Sequence, residues 1–417
     1  MRHIDTVVIG GGQAGLAMSY CLTQRGFEHI VLERNRLVES WRSKRWDSLT
    51  LVAPNWTLDL PGFAYDGLDP DGFMSKDEVV AFLERYAASF DAPLQTGTAV
   101  RAVANDPAGN GYILETDRTT FRAKSVVIAT GEYQLPKVPL SSANLSPRVA
   151  QVAAFDYRHP DALPTGAVLV VGSGESGCQI AQELRDAGRA VYLSTGTTGW
   201  IPREYRAKDG VYWAIEVGVF DQTVDTQPPG RPKYVGPQST GRDGGHDLNL
   251  HTLARDGVVL LGRLEGIDAE TVTFASDLHE NIGASDEFAL GFCTAVDEYI
   301  EANGLDAPVE EIPRYSDAYE RSSADPILEL DLVATGIAVV TWATGYRPDF
   351  GWVRVPVLDD LGYPIHDRGV TRWPGLYFLG LDWLYKMKSG TFLGIGEDAE
   401  YLATAIAQRS LSTTTNM

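Results

Sequence analysis

Two stretches of sequence decide the fold. The first is Asp5-Thr-Val-Val-Ile-Gly-Gly-Gly-Gln-Ala-Gly15, and the second is Ala167-Val-Leu-Val-Val-Gly-Ser-Gly-Glu-Ser-Gly177. Each is a short β-branched run followed by the spacing G-x-G-x-x-G and then by a segment whose apolar residues have helical spacing. A run that is apolar throughout predicts a strand buried on both faces, as in a parallel sheet covered by helices.

Each glycine motif is followed by the remaining parts of a βαβ unit. The helices predicted after the motifs end at Gly26 and Gly188, and further strand-like runs follow at residues 29–32 and 190–193. One G-x-G-x-x-G is weak evidence because glycine-rich turns are common, but two of them in this context are strong evidence. The sequence therefore predicts an α/β fold with two dinucleotide-binding, Rossmann-like domains.

The composition is that of an acidic globular protein. The 417 residues are 44% hydrophobic and 22% charged, and the formal net charge is −21. An acidic surface repels nucleic acid and anionic lipid, which argues against partners of those two classes. Cys21, Cys178 and Cys293 form no C-x-x-C pair, so we expect neither a dithiol redox centre nor a metal site. No apolar run approaches the ~20 residues that span a bilayer, and we expect a cytoplasmic location.

The first glycine motif predicts a site for the adenosine half of FAD. The strand after its helix ends at Glu33, and an acidic residue there accepts hydrogen bonds from the ribose hydroxyls of a dinucleotide. The glycines allow the pyrophosphate to approach the backbone at the helix N-terminus, where partial positive charge accumulates. The alternative is that Glu33 is an exposed carboxylate at the end of a strand.

The second motif differs at the equivalent strand end, where Ser194 or Thr195 stands in place of an acid. A carboxylate would repel a 2′-phosphate, whereas a hydroxyl would not. Arg203, Arg206 and Lys208 follow as a local basic cluster, and arginine binds phosphate through a fork of N–H groups. This pattern favours NADPH, with NADH as an option. The alternative is that these cations are solvated loop residues or serve the substrate.

Two Ala-Thr-Gly segments, residues 129–131 and 343–345, each follow a buried strand-like run. A small residue, a hydroxyl group and a glycine allow a chain to pass close to a pyrophosphate or a flavin. One segment precedes the second glycine motif and the other follows its domain. This arrangement suggests that the chain leaves the flavin domain and later returns to it.

With these motifs, the chain resembles the class B flavoprotein monooxygenases, and most closely their bacterial flavin-containing monooxygenase-like relatives. The resemblance covers nearly the whole length and is carried by residues 10–15 with Glu33, and by residues 41–49, 60–62, 172–177, 201–206, 241–245, 342–347 and 389–398. It implies an FAD-binding domain in two pieces, residues 1–160 and 331–417, and an inserted NAD(P)H-binding domain, residues 161–330, with a Pro/Gly-rich excursion near 222–245.

The resemblance also implies roles for individual residues. It places Trp41, Arg45 and Trp46 along the FAD pyrophosphate and the approach to the flavin. The alternative is that Trp41 and Trp46 are plain core aromatics. The resemblance places the last helix, which opens at residues 394–398, with its N-terminus towards the flavin pyrimidine carbonyls. Asn55 is the only amide in the segment expected beside the flavin N5, but a structural role is the favoured interpretation for it.

We assign no catalytic side chain, because the chemistry of such enzymes belongs mainly to the cofactor. Glu175 is expected near the nicotinamide ribose or the pyrophosphate, or as a first-turn residue that faces the helix dipole. The complete set of residues expected to bind the two cofactors is Gly10, Gly12, Gln13, Ala14, Gly15, Glu33, Arg34, Trp41, Arg45, Trp46, Thr130, Gly131, Gly172, Ser173, Gly174, Glu175, Ser176, Gly177, Ser194, Thr195, Arg203, Arg206, Thr344, Gly345, Gly380, Gly394 and Gly396.

The resemblance implies that NADPH reduces FAD and that the reduced flavin reacts with O₂ to give a C4a-peroxyflavin. One oxygen atom then passes to a small soft nucleophile, such as an amine, a sulfide or an electron-rich aromatic. Ala153 stands where the family fingerprint carries a histidine, which keeps open an NAD(P)H oxidase or flavin-dependent reductase without oxygen insertion. A second alternative is an FAD-binding sensor without turnover. Dimers are common in the family, so a homodimer is one option.

Overall fold

Two sheets built around parallel strands dominate the structure, a computed structural model that describes residues 1–109, 111–228, 236–322 and 326–415. The strands of the described residues are β1 (Arg2–Ile9), β2 (His29–Leu32), β3 (Asp59–Leu60), β4 (Phe63–Ala64), β5 (Leu94–Gln95), β6 (Val100–Asn105), β7 (Tyr112–Thr116), β8 (Thr120–Ile128), β9 (Leu135–Pro136), β10 (Ala150–Ala153), β11 (Ala167–Val171), β12 (Val191–Ser194), β13 (Glu204–Tyr205), β14 (Lys208–Asp209), β15 (Val259–Leu261), β16 (Leu264–Asp268), β17 (Thr271–Phe274), β18 (Glu329–Asp331), β19 (Ile337–Trp342), β20 (Tyr346–Arg347) and β21 (Leu376–Phe378).

The helices lie between and outside these strands. Within the described ranges they are α1 (Gln13–Gln24), α2 (Glu39–Ser43), α3 (Lys76–Ser89), α4 (Glu175–Asp186), α5 (Gly210–Glu216), α6 (Leu250–Arg255), α7 (Leu278–Asn303), α8 (Asp317–Ser322) and α9 (Ile395–Thr415). None of these helices is both long enough and apolar enough to cross a membrane.

The first sheet has the order β5-β2-β1-β8-β7-β6, and β21 also pairs with β8. Strands β5, β2, β1, β8 and β21 are mutually parallel, whereas β7 and β6 join as an antiparallel extension. Helix α1 connects β1 to β2, and α9 packs against α1. The chain therefore contributes to this sheet from β1 to β8, leaves it to form the second sheet, and returns to it at β21.

The second sheet has the order β10-β19-β11-β12-β15 and is parallel throughout. It lies between β8 and β21 in sequence, which confirms the predicted α/β class with one dinucleotide-binding unit inserted into another. The edge strand β10 and its neighbour β19 both lie outside the predicted limits 161–330. The sheet therefore draws on chain from both sides of the predicted insertion, because strand pairing joins segments that are distant in sequence.

The strand after Gly166 is buried on both faces, as its unbroken apolar sequence predicted. Val168 and Val170 belong to a core with helices α4 and α6, whereas Leu169 and Val171 belong to a second core on the opposite face. Such alternation is the normal geometry of a strand, whose successive side chains point to opposite faces. The sheet is thus a rigid platform for the turn at its carboxyl end.

The predicted excursion near residues 222–245 is irregular in its described parts. It carries two short 3-10 turns, Val219–Asp221 and Val224–Thr226, before residues 229–235, which lie outside the described residues. After them, Gln238 and Thr240 make isolated bridges to Trp200 and His246. The described parts of this segment therefore have little regular structure, although Gln238, Ser239 and Thr240 are buried.

Candidate active site

The first glycine turn joins β1 to α1 and is closed by tight backbone contacts. Gly10 has a φ of +115°, and a β-carbon there would lie 2.4 Å from the carbonyl oxygen of Ala129. A β-carbon at Gly15 would lie 1.8 Å from the carbonyl oxygen of Gly10, so only glycine fits at either position. At Gly12, in contrast, a β-carbon would meet no described atom within 4 Å. The turn is therefore packed on its protein side and open at the N-terminus of α1.

Glu33 lies beside this turn at the end of β2. Its carboxylate accepts hydrogen bonds from the backbone N–H groups of Gly11 (2.8 Å) and Asn35 (2.9 Å). These bonds hold the carboxylate where the ribose hydroxyls of a dinucleotide are expected. A polar cavity that is largely open to solvent lies next to it. The cavity is lined by Arg34, Asn35, Arg36, Glu39, Thr96, Gly97 and Arg118.

Trp41 connects the first turn to a second aromatic ring and to an arginine. The indole N–H of Trp41 donates to Oε1 of Gln13 in the first turn of α1, at 3.1 Å. The Trp41 ring stacks on Phe392 with 6.0 Å between ring centroids, and the guanidinium of Arg45 stands 5.2 Å from its centroid. The structure thus brings together Gln13, Trp41 and Arg45, three residues of the predicted set, and adds Phe392 from the segment before α9.

The start of α9 lies against the first turn. A β-carbon at Gly380, where φ is +77°, would lie 2.6 Å from the β-carbon of Ala14 and 3.9 Å from Cδ1 of Ile395. Gly394 and Gly396 also permit close approaches. A β-carbon at Gly394 would lie 2.2 Å from the carbonyl oxygen of Lys388, and one at Gly396 would lie 3.2 Å from Cγ of Pro61. The N-termini of α1 and α9 are therefore neighbours at the same edge of the first sheet.

The second glycine turn repeats the geometry of the first. Gly172 has a φ of +106°, and a β-carbon there would lie 2.5 Å from the carbonyl oxygen of Ala343. A β-carbon at Gly177 would lie 1.8 Å from the carbonyl oxygen of Gly172, whereas one at Gly174 would meet no described atom within 4 Å. Ser173 is buried, and its hydroxyl bonds the backbone of Gly196. This turn, too, packs closely against the neighbouring backbone and is open at the N-terminus of its helix.

The two Ala-Thr-Gly segments have a different arrangement from the one expected. Each abuts the glycine turn of its own sheet, so the second segment belongs to the second unit and does not mark a return to the flavin domain. The reason is that β19 neighbours β11 as β8 neighbours β1. Thr130 and Thr344 use their hydroxyl groups in hydrogen bonds within the protein, and Gly131 and Gly345 follow with φ values of +72° and +87°.

Glu175 begins α4 at the second turn, with Ser176 beside it, and faces charges from the first unit. Burial raises the pKa of the Glu175 carboxyl to about 7, and the charge of Arg45 acts in the opposite direction. Burial likewise raises the pKa of the Tyr346 phenol. The charge of Arg45 lowers this pKa, and the charge of Glu175 raises it. Because Arg45 also stands over Trp41, it links the surroundings of the two turns. Each of the two open glycine turns has room at a helix N-terminus for a dinucleotide pyrophosphate.

Ser194 and Thr195 do not present their hydroxyl groups to a ligand. The Ser194 hydroxyl donates to the carbonyl oxygen of Gly262 (3.0 Å) and accepts from the N–H of Leu264 (3.1 Å). The Thr195 hydroxyl donates to the carbonyl oxygen of Leu261 at 2.7 Å. Both side chains are buried. They fix the backbone at the end of β15, a role that differs from the predicted contact with a 2′-phosphate.

Arg203 and Arg206 also differ from their predicted role, because both guanidinium groups are committed to protein partners. Arg203 is buried, donates to the carbonyl oxygen of Val52 at 2.8 Å and pairs with Asp209 at 2.6 Å. Arg206 pairs with Asp297 at 2.7 Å. The chain after β12 folds back into the protein, so these two arginines join structural elements instead of lining the strand end.

Trp46 and Asn55 are structural as well. Trp46 is buried in the core of the second unit, 6.5 Å from the ring of Tyr157. Asn55 is buried, accepts a hydrogen bond from the N–H of Met74 (2.8 Å) and donates one to the carbonyl oxygen of Asp69 (2.9 Å). Trp46 therefore packs away from the first turn, and the structural interpretation of Asn55 is the one that its contacts support.

The sequence analysis did not identify a cluster of four charged residues between the segment after α5 and the start of α9. Lys386 lies 2.8 Å from Asp221 and 2.9 Å from Glu397, and Lys388 lies 3.0 Å from Asp221 and 2.6 Å from Glu397. We call these four residues the ion cluster. It ties the segment after α5 to the first turn of α9. The only sequence signal was a pair of lysines at a spacing of two, which is common on protein surfaces.

Comparison with known proteins agrees with this geometry. The profile of the pyridine nucleotide-disulphide oxidoreductases matches residues 7–216. An uncharacterized CzcO-like oxidoreductase of Geobacillus kaustophilus is 34% identical over 97% of this chain and 99% of its own. The indole-3-pyruvate monooxygenase YUCCA1 of rice is 31% identical over 48% of this chain and 49% of its own. A flavin monooxygenase from Stenotrophomonas maltophilia, solved as a double mutant, shares the fold with a TM-score of 0.67 at 18% identity, covering 98% of this chain and 99% of its own.

Proposed function

The chain belongs to the pyridine nucleotide-disulphide oxidoreductase family, and from this premise we propose that it is an FAD- and NADPH-dependent monooxygenase. Bound FAD and NADPH would supply hydride transfer to the flavin and activation of O₂ for transfer of one oxygen atom. The substrate class is a small soft nucleophile, that is, an amine, a sulfide or an electron-rich aromatic. The FAD domain comprises the N-terminal and C-terminal parts of the chain, and the NADPH domain lies between them.

The observation that carries the proposal is the repetition of one open glycine turn in two sheets, with Arg45 acting on the surroundings of both turns. Gly12 and Gly174 occupy the same place in their turns, and each leaves free space at a helix N-terminus. Neither helix has a side-chain cap, so the first backbone N–H groups are available to a phosphate. Residues of both turns therefore fit a dinucleotide pyrophosphate.

The surrounding side chains supply binding and orientation. Glu33 holds its carboxylate for the ribose of FAD, and Trp41 braces Gln13 beside the expected pyrophosphate. The start of α9 would place its positive end near the flavin. Trp41 and Phe392 on one side, and Tyr346 with Phe155 on the other, provide apolar walls that exclude water. Exclusion of water favours transfer of oxygen over its release as H₂O₂.

The support from relatives is of the same kind. A rice relative that matches half of this chain is named an indole-3-pyruvate monooxygenase, and a steroid monooxygenase bound to NADP shares the fold with a TM-score of 0.56. These names describe those proteins. They favour oxygenation in this chain.

The test uses the full chain loaded with FAD. We expect NADPH to bleach the flavin without oxygen and a transient absorbance, distinct from both oxidised and reduced flavin, to follow mixing with O₂. NADPH consumption and product formation are then measured together over a panel of sulfides, amines, indoles and ketones. A purified chain that takes up no FAD would overturn the proposal, and so would bleached flavin that yields no oxygenated product with any member of the panel.

One observation favours a second candidate, an NAD(P)H oxidase or reductase without oxygen insertion. Ala153 ends β10, next to the buried Ala154 and Phe155, and contributes no polar group where the family fingerprint has a histidine. The same rapid-mixing experiment separates the two candidates. Direct return of oxidised flavin, with one H₂O₂ formed for each NADPH, would identify the oxidase.

A further inference from the structure

The ends of β2 and β5 define the adenosine side of the first turn. Gly10 N–H donates to the carbonyl oxygen of Leu32 at 2.9 Å, and Glu33 N–H donates to the carbonyl oxygen of Gln95 at 3.1 Å. Leu32 and Gln95 are also partners in the strand register. The next two residues, Thr96 and Gly97, line the cavity beside Glu33.

The ends of β12 and β15 repeat this arrangement at the second turn. Gly172 N–H donates to the carbonyl oxygen of Ser194 at 2.9 Å, and Thr195 N–H donates to the carbonyl oxygen of Leu261 at 2.9 Å. Ser194 and Leu261 are register partners, as Leu32 and Gln95 are. The two units therefore correspond residue by residue at this edge.

The correspondence shows which residue occupies the adenosine side of the second site. Thr195 corresponds to Glu33, so the second site has no carboxylate at the ribose position. Gly262 corresponds to Thr96, and Arg263 corresponds to Gly97, which lines the cavity in the first unit. Arg263 is thus a cation at the strand edge where the adenosine of the second dinucleotide is expected.

The local contacts make Arg263 available. Its side chain is 71% exposed, and in the described parts of the chain its guanidinium makes one ion pair, a loose one of 3.6 Å with Asp277. Its backbone is held firmly, because its N–H donates to Asp277 at 2.8 Å and the Ser194 hydroxyl bonds the residues on either side of it. Arg203 and Arg206, by contrast, are committed to close partners.

We propose that Arg263 binds the 2′-phosphate of NADPH and gives the second site its preference for NADPH over NADH. The inference rests on the proposed function and adds the residue that selects the nucleotide. A guanidinium meets a phosphate with a fork of charged hydrogen bonds. In a chain of net charge −21, such a cation also offsets a field that would repel the extra phosphate.

The test measures binding of two fragments, ADP-ribose and ADP-ribose 2′-phosphate, to the FAD-loaded chain by calorimetry, independently of turnover. We expect the wild type to bind the phosphorylated fragment about tenfold more tightly, the worth of one good charged hydrogen-bond pair. Arg263→Ala should lose that preference and keep its affinity for ADP-ribose. Arg263→Lys should keep part of the preference, because it retains the charge but not the fork.

The matched control is Arg148→Ala. Arg148 is another exposed arginine of this region, 66% exposed and paired with Glu270 at 3.0 Å, and its loss should leave both affinities unchanged. An Arg263→Ala variant that still prefers the phosphorylated fragment would overturn the inference and leave the proposed function standing. If the wild type binds both fragments equally, Arg263 is again excluded. If it binds neither, the second nucleotide site fails together with the inference.

Discussion

A β-carbon at Gly172 would lie 2.5 Å from the carbonyl oxygen of Ala343. The contact between Gly10 and Ala129 in the first unit is its counterpart, at 2.4 Å. In both cases the first glycine of the motif passes the end of a neighbouring strand with no room for a side chain. The same turn therefore arises twice from the same local requirement.

The open glycine of the second turn gives a sharp test of nucleotide binding. Gly174 has a φ of −68°, and a β-carbon there meets no described atom within 4 Å, so alanine fits the protein. The added methyl group would instead occupy space expected for the pyrophosphate. We expect Gly174→Ala to keep its thermal stability and its FAD and to weaken NADPH binding about 10- to 100-fold, the effect of a forced contact. Titration of the flavin-loaded chain with NADP⁺ measures this.

The control for that variant is Gly291→Ala in α7. Its β-carbon also meets no described atom within 4 Å, and it lies on an exposed part of a helix, where alanine is favoured over glycine. This variant should be as stable as the wild type or slightly more so, with unchanged affinity. Equal NADPH affinity in the two variants would contradict the assignment of the second turn.

Glu33 provides the corresponding test in the first unit. Glu33→Gln replaces an anion that accepts two backbone hydrogen bonds by an amide with a single acceptor oxygen. We expect FAD affinity to fall about tenfold, since a hydrogen bond to a charged group is worth ~1.5–3 kcal/mol. Flavin retained after dialysis, together with fluorescence titration, gives the measurement. Glu28→Gln, an exposed change just before the same strand, should retain FAD like the wild type.

The two glycine turns could be predicted because their determinants are local. A buried strand, a glycine with positive φ and a helix start follow one another within eleven residues, as the stretch from Asp5 to Gly15 illustrates. The Ala-Thr-Gly segments could be identified for the same reason, because they too must pass close to a glycine. Which sheet the second segment joins depends on strand pairing across most of the chain, and the sequence carried no local sign of it.

The residue proposed for the 2′-phosphate, Arg263, could not be predicted in the same way. Ser194 and Thr195 stand at the expected position in sequence, but their hydroxyl groups turn to the end of β15, more than sixty residues later. Arg203 appeared free because Asp209 and Val52 are brought to it only by folding. Arg263 could not be placed near the second turn from the sequence, because no residue near it indicates that β15 lies next to β12.

The ion cluster should hold the excursion after α5 against α9. Its lysines lower the pKa of Asp221 below the ordinary 3.8, chiefly through the hydrogen bond from Lys386. A lowered carboxyl pKa stabilises the fold at every pH above that range and loses this effect only as the pH falls through it. Asp221 is half exposed, so we expect Asp221→Asn to cost only about 0.5–1 kcal/mol at neutral pH, and less in ~1 M salt. Denaturant unfolding at low and high salt measures both values.

The same variant should also release more H₂O₂ per NADPH, because a loosened contact between Asp221 and the start of α9 would admit water to the proposed flavin site. Asp225→Asn is the control. Asp225 lies on the same segment and is exposed, and within the described ranges it has no ion pair. A loss of coupling in both variants, or in neither, would show that the ion cluster does not exclude water from that site.

Glu175 should give the chain a distinctive dependence of stability on pH. Its pKa is raised by burial from 4.5 to about 7, with Arg45 opposing the rise. A carboxyl with a raised pKa favours the folded state below its unfolded value, and this contribution is lost as the pH rises towards the folded value. Relative to Glu175→Gln, the wild type should therefore lose up to about 3 kcal/mol of unfolding free energy between about pH 4.5 and 7.

Unfolding of the FAD-free chain and of Glu175→Gln across this range supplies the measurement, with the exposed Glu204→Gln as the control. Parallel curves for the wild type and Glu175→Gln would contradict the prediction. Arg45→Gln then tests the link between the two turns. Because Arg45 is the charge that opposes the effect of burial on Glu175, its removal should move the midpoint of the loss to higher pH, and should do so only while Glu175 is present.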